Sequence, residues 1–162
     1  MSERASAPRV DVRRESVQSD VAAALIATLN AELTELYPEP GATHFRLDPA
    51  EVAAGHGAFL VAYADGRPVG CGAVRRLDPE TAELKRMYVE LSLRGCGIGR
   101  ALLEGLEREA RALGVRRVVL ETGIRQKAAI ALYSRTGYEA TEPYGEYVLS
   151  SATSVCMGKI IA

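Results

Sequence analysis

Cysteine and histidine are scarce in this chain, with three of the first and two of the second among 162 residues. Cys71, Cys96 and Cys156 are odd in number, form no CxxC spacing and have no histidine-rich partner segment. A disulfide framework and a structural zinc site therefore have little to stand on. His44 and His56 are too isolated to serve as ligands, and no metal is expected. The opening "MSERASAPRVDVRRES" lacks the apolar stretch of a secretory signal. No apolar run is long enough to span a bilayer. An excess of charge of one sign is missing too: Lys plus Arg (20) balance Asp plus Glu (21) at a net charge of −1. That argues against nucleic acid or an anionic membrane surface as the partner. A reducing cytoplasm is the simplest location.

What is present fits an ordinary globular chain, 48% hydrophobic and 25% charged. Its length suits one domain over residues 1–162, with residues 1–7 expected to be flexible. "RVDVRRES" alternates as a half-buried strand does. Ser19 or Asp20 can cap a long helix through "VAAALIATLNAELTELY", ended by Pro38, Pro40 and Gly41. "DPAEVAAG" reads as a short second helix capped by Asp48. "AFLVAYA", "VGCGAVRRL" and "AELKRMYV", joined by "DGRP" and "DPET", read as three antiparallel strands. In "GRALLEGLEREARALG" the apolar positions Ile98, Leu102, Leu106, Ala110 and Leu113 step by three or four, as one helix face requires. "VRRVVLET" then gives a strand parallel to the one before the helix. "RQKAAIALYSRTGY" is a further amphipathic helix, and "YEATEPY" and "TSVCMGKII" are the last strands. The expected class is α/β, a mixed central sheet in the order β-α-α-β-β-β-α-β-α-β-β.

"LRGCGIGRALL" places Gly95, Gly97 and Gly99 where that long helix begins, although glycine costs roughly 1 kcal/mol against alanine inside a helix. A strand, a glycine turn and a helix N-terminus together make an anion site. The first N–H groups of a helix lack internal partners, and glycines let phosphate oxygens approach the main chain. Spacing separates the phosphate ligands. No GxxxxGK[ST] string is present, and Arg100 stands where GxGxxG needs its third glycine. Both nucleotide fingerprints fail.

What remains is Arg94-x-x-Gly97-x-Gly99, and this resembles the R/Q-x-x-G-x-G/A pyrophosphate loop of the GNAT superfamily of N-acetyltransferases. "AELKRMYV", "GVRRVVLET" and "QKAAIALYSRTGY" are similar to that family's fourth strand, fifth strand and final helix motif. The likeness extends over about residues 8–161, and its motifs run from Glu83 to Tyr138. It implies a fold in which the parallel fourth and fifth strands splay apart, with acetyl-CoA as acyl donor.

The same resemblance implies the site. The pyrophosphate would lie on Arg94, Gly95, Cys96, Gly97, Ile98, Gly99 and Arg100. The pantetheine arm would pair with the main chain of Met87, Tyr88 and Val89, a backbone N–H near Val89 serving as oxyanion donor. Tyr133 is the candidate general acid, since a phenol near pKa 10 is protonated at neutral pH and can donate to a departing thiolate. Gln126 lies seven residues earlier on the same helix face and stands where the family usually has asparagine. Glu83 is the candidate base, fourteen residues before Gly97. The implied activity is transfer of acetyl to a primary amine of a small molecule or peptide, by direct attack in a ternary complex. A non-catalytic acyl-CoA sensor, or an enzyme using another acyl-CoA, stays open.

The amine would enter between "NAELTELYPE" and "TEPYGEYVLSSATS", where Glu32, Glu35, Glu142, Glu146, Tyr37, Tyr144 and Tyr147 could cradle a cation. Amino acids, polyamines, aminoglycoside-like amines and protein N-termini all fit that description. A homodimer is admitted by analogy with the superfamily alone.

Overall fold

A computed structural model describes residues 8–40, 47–150 and 152–162. Its elements are β1 (Val10–Arg14), α1 (Asp20–Leu36), β2 (Gly57–Ala64), β3 (Arg67–Asp78), β4 (Thr81–Val89), α2 (Ile98–Ala112), β5 (Arg117–Gly123), α3 (Lys127–Arg135), β6 (Glu139–Thr141) and β7 (Ser154–Ile160). The strands form one seven-stranded sheet in the order β1-β2-β3-β4-β5-β7-β6. Every neighbouring pair is antiparallel except β4 and β5. This is the mixed sheet expected from the sequence, with α2 making the crossover that a parallel pair needs. Among the described residues no helix is long and apolar enough to cross a membrane.

Each helix covers the sheet with the stripe its periodicity provides. Ile98, Leu102, Leu106 and Ala110 of α2 are fully buried against Leu60, Val74, Leu84, Val118 and Leu120. Burying one such leucine stabilises the fold by about 1.5–3 kcal/mol. On the opposite face Ala22 and Leu25 of α1 pack over Phe59, Val61, Cys71 and Ala73. Ser19 caps α1, its hydroxyl accepting from the Ala22 amide at 3.1 Å.

Three boundaries differ from expectation. The second early helix is a single 3-10 turn over Pro49–Val52 with no buried residue. Its one apolar anchor, Val52, is partly buried against the α1-side core, too little to meet the cost of starting a longer helix. The last helical residue of α1 is Leu36, because Tyr37 precedes Pro38 and is driven out of helical backbone. Gly41, also expected to end it, lies outside the described residues, as do residues 1–7 and His44. β6 stops at Thr141, two residues short of Pro143, whose missing N–H cannot extend a ladder.

β4 and β5 pair from Thr81–Arg117 to Leu84–Leu120 and no further, although β4 runs on to Val89 and β5 to Gly123. The local cause of this splay is a bulge. Lys85 faces Ala73 and Tyr88 faces Cys71, so Arg86 and Met87 share the one place opposite Gly72. Arg86 adopts left-handed backbone, at φ +55°, to do so. Glycines of β3 make room beneath it. A Cβ on Gly72 would lie 2.7 Å from Met87 Sδ, and one on Gly70 2.7 Å from the Tyr88 carbonyl oxygen. Among the described residues, the bulge leaves one edge of residues 85–89 without a neighbouring strand.

Candidate active site

The splay opens a cleft of about 800 Å³ on one side and a smaller recess of about 90 Å³ further in. Leu29, Met87, Gln126 and Ala129 line both, so the two are continuous. Met87, Tyr88 and Val89 bring the splayed edge of β4 to the cleft.

The glycine loop forms the floor of its mouth. Gly95 and Gly97 have φ of +86° and +87°, with open space where a side chain would stand. Such backbone is strained for any residue with a Cβ. Gly97 caps α2 with no side chain, and the first internal bond of the helix runs from Ala101 N to Gly97 O. The amides of Ile98, Gly99 and Arg100 are left for a ligand. Gly99 has a different purpose: a Cβ there would meet Leu132 Cδ2 at 3.0 Å, so it lets α2 approach α3. Of the expected loop contacts, Cys96 and Ile98 do not line the cleft. Cys96 is exposed and the Ile98 side chain is in the core, which leaves Ile98 only its main chain to offer.

Arg94 straps the mouth. Its Nε donates to the Val89 carbonyl at 2.9 Å and its guanidinium holds both Glu32 oxygens at 2.9 Å. The cleft also collects Arg100, Arg125, Lys127 and Arg135, making five cations to one lining carboxylate, Glu32, among the described residues; Arg125 is itself paired with Glu39 and Arg100 with Glu104. Sequence reasoning missed the last three because net charge averages over the chain. For Arg125 and Lys127 the signal was the basic run in "GIRQK" at the start of the final helix; Arg135, near that helix's end, had none.

Gln126 is held in place by the turn it begins. Its Oε1 accepts from the Gly123 amide at 2.8 Å and from Thr122 Oγ1 at 3.3 Å. Gly123 is required there, since a Cβ would lie 1.8 Å from the Tyr37 hydroxyl. That hydroxyl accepts from the Arg125 amide at 2.8 Å and closes one wall of the recess.

Tyr133 lines the recess and not the outer cleft. It is 5% exposed, its ring edge-on to Tyr138 at 5.7 Å. Burial pushes its phenol above the ordinary range, with the Glu121 charge adding to the effect. The phenol is therefore protonated throughout the physiological range.

Glu83 is placed differently from expectation. It is 1% exposed and lines neither cavity. Arg75 Nε donates to one of its oxygens at 2.9 Å and the Tyr144 hydroxyl to the other at 2.7 Å, with Tyr147 adding a further hydrogen bond. The reason is topological. Glu83 faces Val119 within the paired part of the ladder, before the last pair at Leu84–Leu120, so the sheet is still closed around it.

The carboxylate that does reach the recess is Glu121, the first residue of β5 beyond that last pair. Burial raises its pKa above the usual carboxylate value; the neighbouring Glu83 and Glu146 charges add to this, while Ser154 and Arg86 oppose it. Lys85 and Arg86, 8% and 7% exposed, stand on the facing lip. Of the residues expected to cradle an amine, Tyr37 and Tyr147 line the recess. Tyr144 holds Glu83, Glu32 belongs to the Arg94 strap, and Glu35 and Glu142 are exposed away from it. Among the described residues no group of three or more His, Cys, Asp or Glu could hold a metal ion.

Comparison with known proteins agrees with this fold. The model of the Acetyltransferase (GNAT) family matches residues 22–138. An IAA acetyltransferase of Azospirillum brasilense is 42% identical over 142 residues, 86% of this chain and 91% of that one. A Klebsiella pneumoniae protein assigned as an acyl-CoA N-acyltransferase has the same fold, with a TM-score of 0.79 at 32% identity over 94% of this chain and 98% of that one. A GNAT acetyltransferase of Elizabethkingia anophelis, solved with acetyl-CoA bound, shares the fold at a TM-score of 0.65 and 18% identity, over 94% of this chain and 98% of that one.

Proposed function

The chain belongs to the GNAT acetyltransferase family, whose acyl donor is acetyl-CoA, and from that premise we propose that it transfers acetyl to a primary amine by direct attack in a ternary complex. The observation that carries this reading is the continuity of a cationic, glycine-floored cleft with a recess that holds Tyr133 and Glu121.

The residues fit the donor. The amides after Gly97, with Arg94 exchanging Glu32 for phosphate, suit a pyrophosphate. Arg100, Lys127 and Arg135 add positive charge for the remaining phosphate. The open edge of Met87–Val89 suits the amides of a pantetheine arm, which lays the thioester near Met87, Gln126 and Ala129. The bound donor supplies an activated acyl carbon.

The protein positions, polarises and moves protons. A backbone N–H near Val89 faces the developing oxyanion. Glu121 takes one proton from the incoming ammonium, and the freed amine forms its bond to the acyl carbon as the carbon–sulfur bond breaks. Tyr133 gives its proton to the leaving thiolate and recovers one from the acylated nitrogen. The balance is one amide, one thiol and the proton that Glu121 returns to solvent. The base role passes to Glu121 because Glu83 is closed off in the sheet and already bonded to Arg75 and Tyr144.

A thermal-shift titration with acetyl-CoA, beside CoA, NADH and ATP, tests the donor. At 100 times Kd a ligand of the folded state stabilises by about 2.7 kcal/mol, or roughly 5–11 °C in a chain of this size. A saturable shift from CoA species alone is expected, and its absence in a folded sample overturns the reading. Tyr133→Phe should keep that shift and lose turnover by about 100-fold or more, read as thiol release. Unchanged turnover would remove Tyr133 from the mechanism.

A further inference from the structure

The two lips of the splay carry opposite charge. β4 offers Lys85 and Arg86, β5 offers Glu121, and all three line the same recess of about 90 Å³. Putting them there is expensive. Lys85 and Arg86 are 8% and 7% exposed, and a buried guanidinium or ammonium forfeits much of its hydration before anything is regained. Arg86 is held in left-handed backbone besides, at φ +55°, a conformation disfavoured for any residue with a side chain.

A recess for a plain amine, a polyamine or an aminoglycoside would call for carboxylates. Buried cations there would repel such acceptors. The charges present instead complement a molecule with a cation at one end and an anion at the other. Arg86 donates to the side chain of Asn30; burial works against its charge, while Cys71, Tyr147 and Glu121 favour it. Its planar fork is the group best shaped to take a carboxylate. Lys85 is ion-paired with Glu146, 4.0 Å away on the segment before β7, which offsets part of its charge.

Resting on the function proposed above, we infer that the acceptor is an α-amino acid, its carboxylate on Arg86 and its ammonium at Glu121, with the nitrogen turned to the mouth shared with the donor cleft. Size narrows the class. At about 10–15 Å³ for each water-sized group, the recess has room for roughly six to nine of them. That suits amino acids with small side chains. A peptide N-terminus lacks the free α-carboxylate and is disfavoured on the same ground as polyamines.

Matched acceptors decide the matter on the unaltered protein. With acetyl-CoA and a thiol-release readout, L-alanine is compared with alaninamide and ethylamine, and L-serine with ethanolamine. Each amino acid should exceed its carboxylate-free partners by about 100-fold in kcat/KM, the scale of one buried charge contact. Equal rates, or a preference for the amines, overturn the proposal. Binding gives a second readout: L-alanine should raise the melting temperature of the CoA-saturated protein and ethylamine should not. A CoA-saturated protein that responds to neither, and acetylates neither, overturns it as well. Arg86→Met should erase the preference while the acetyl-CoA shift persists, and Arg86→Lys should restore part of it. Should Arg86→Met not fold, the comparison on the unaltered protein still decides. The two proposals fail separately: loss of any CoA shift removes the donor reading, whereas a CoA shift without carboxylate discrimination removes only the amino acid.

Discussion

Glu83→Gln is the perturbation that most cleanly separates a structural carboxylate from a catalytic one. Glu83 accepts from Arg75 Nε at 2.9 Å and from the Tyr144 hydroxyl at 2.7 Å, at 1% exposure. A glutamine can satisfy only one of these. If its carbonyl turns to Tyr144, its amide NH2 confronts the Arg75 N–H donor. A charge-assisted hydrogen bond is lost and two donors are left face to face. Arg75 keeps Glu51 at 2.5 Å, which limits the damage to about 2–3 kcal/mol. For a chain of this length that is a fall of about 4–12 °C in Tm. The assay is a melting curve beside initial rates measured across pH. Structural damage should appear as the lower Tm, with the acidic limb of the rate profile kept and kcat near normal for the fraction that is folded. Loss of a general base would instead lower kcat by about 10²–10⁴-fold and remove the acidic limb. That second pattern, with an unchanged Tm, would refute the argument that a residue inside the paired ladder cannot reach the substrate.

Glu121→Gln should behave oppositely in stability. Burial raises the pKa of Glu121 in the folded chain, so its favourable contribution is present at low pH and is lost as pH rises through that raised value. Glutamine never ionises; the variant should melt above the parent at neutral pH, the difference vanishing in acid, while turnover collapses. A variant melting lower at neutral pH would show that Glu121 serves the fold through an ion pair. Gly123→Ala would put a Cβ 1.8 Å from the Tyr37 hydroxyl and displace that wall of the recess. Overpacking of this kind costs about 1–3 kcal/mol, and the acceptor KM should rise along with the loss in Tm. An unaltered melting curve would mean that Tyr37 does not stand over the turn.

The parts of this molecule that were legible in its sequence are those whose cause is local. The loop from Arg94 to Gly99 could be read because left-handed backbone at Gly95 and Gly97 needs glycine wherever the rest of the chain goes. α2 could be read because a stripe at three-to-four spacing has one way to bury itself. The choice between Glu83 and Glu121 could not, because it depends on where the β4–β5 ladder stops. That point is set by the bulge at Arg86. Strict alternation along β4 would put Met87 on the face of Glu83 and Lys85. The extra residue instead sends Met87 and Val89 to the α2 side with Leu84, and leaves Tyr88 over the α1 side. The sequence did carry a trace of this, not in β4 but in its neighbour, where Gly70 and Gly72 interrupt the strand in the way a bulge or close backbone approach does. One insertion in one strand thus opens the edge that suits the donor and turns Arg86 into the recess that suits the acceptor. The same residue type at that position in a regular strand would do neither, and for that reason Arg86 is the residue on which acceptor specificity is most directly tested.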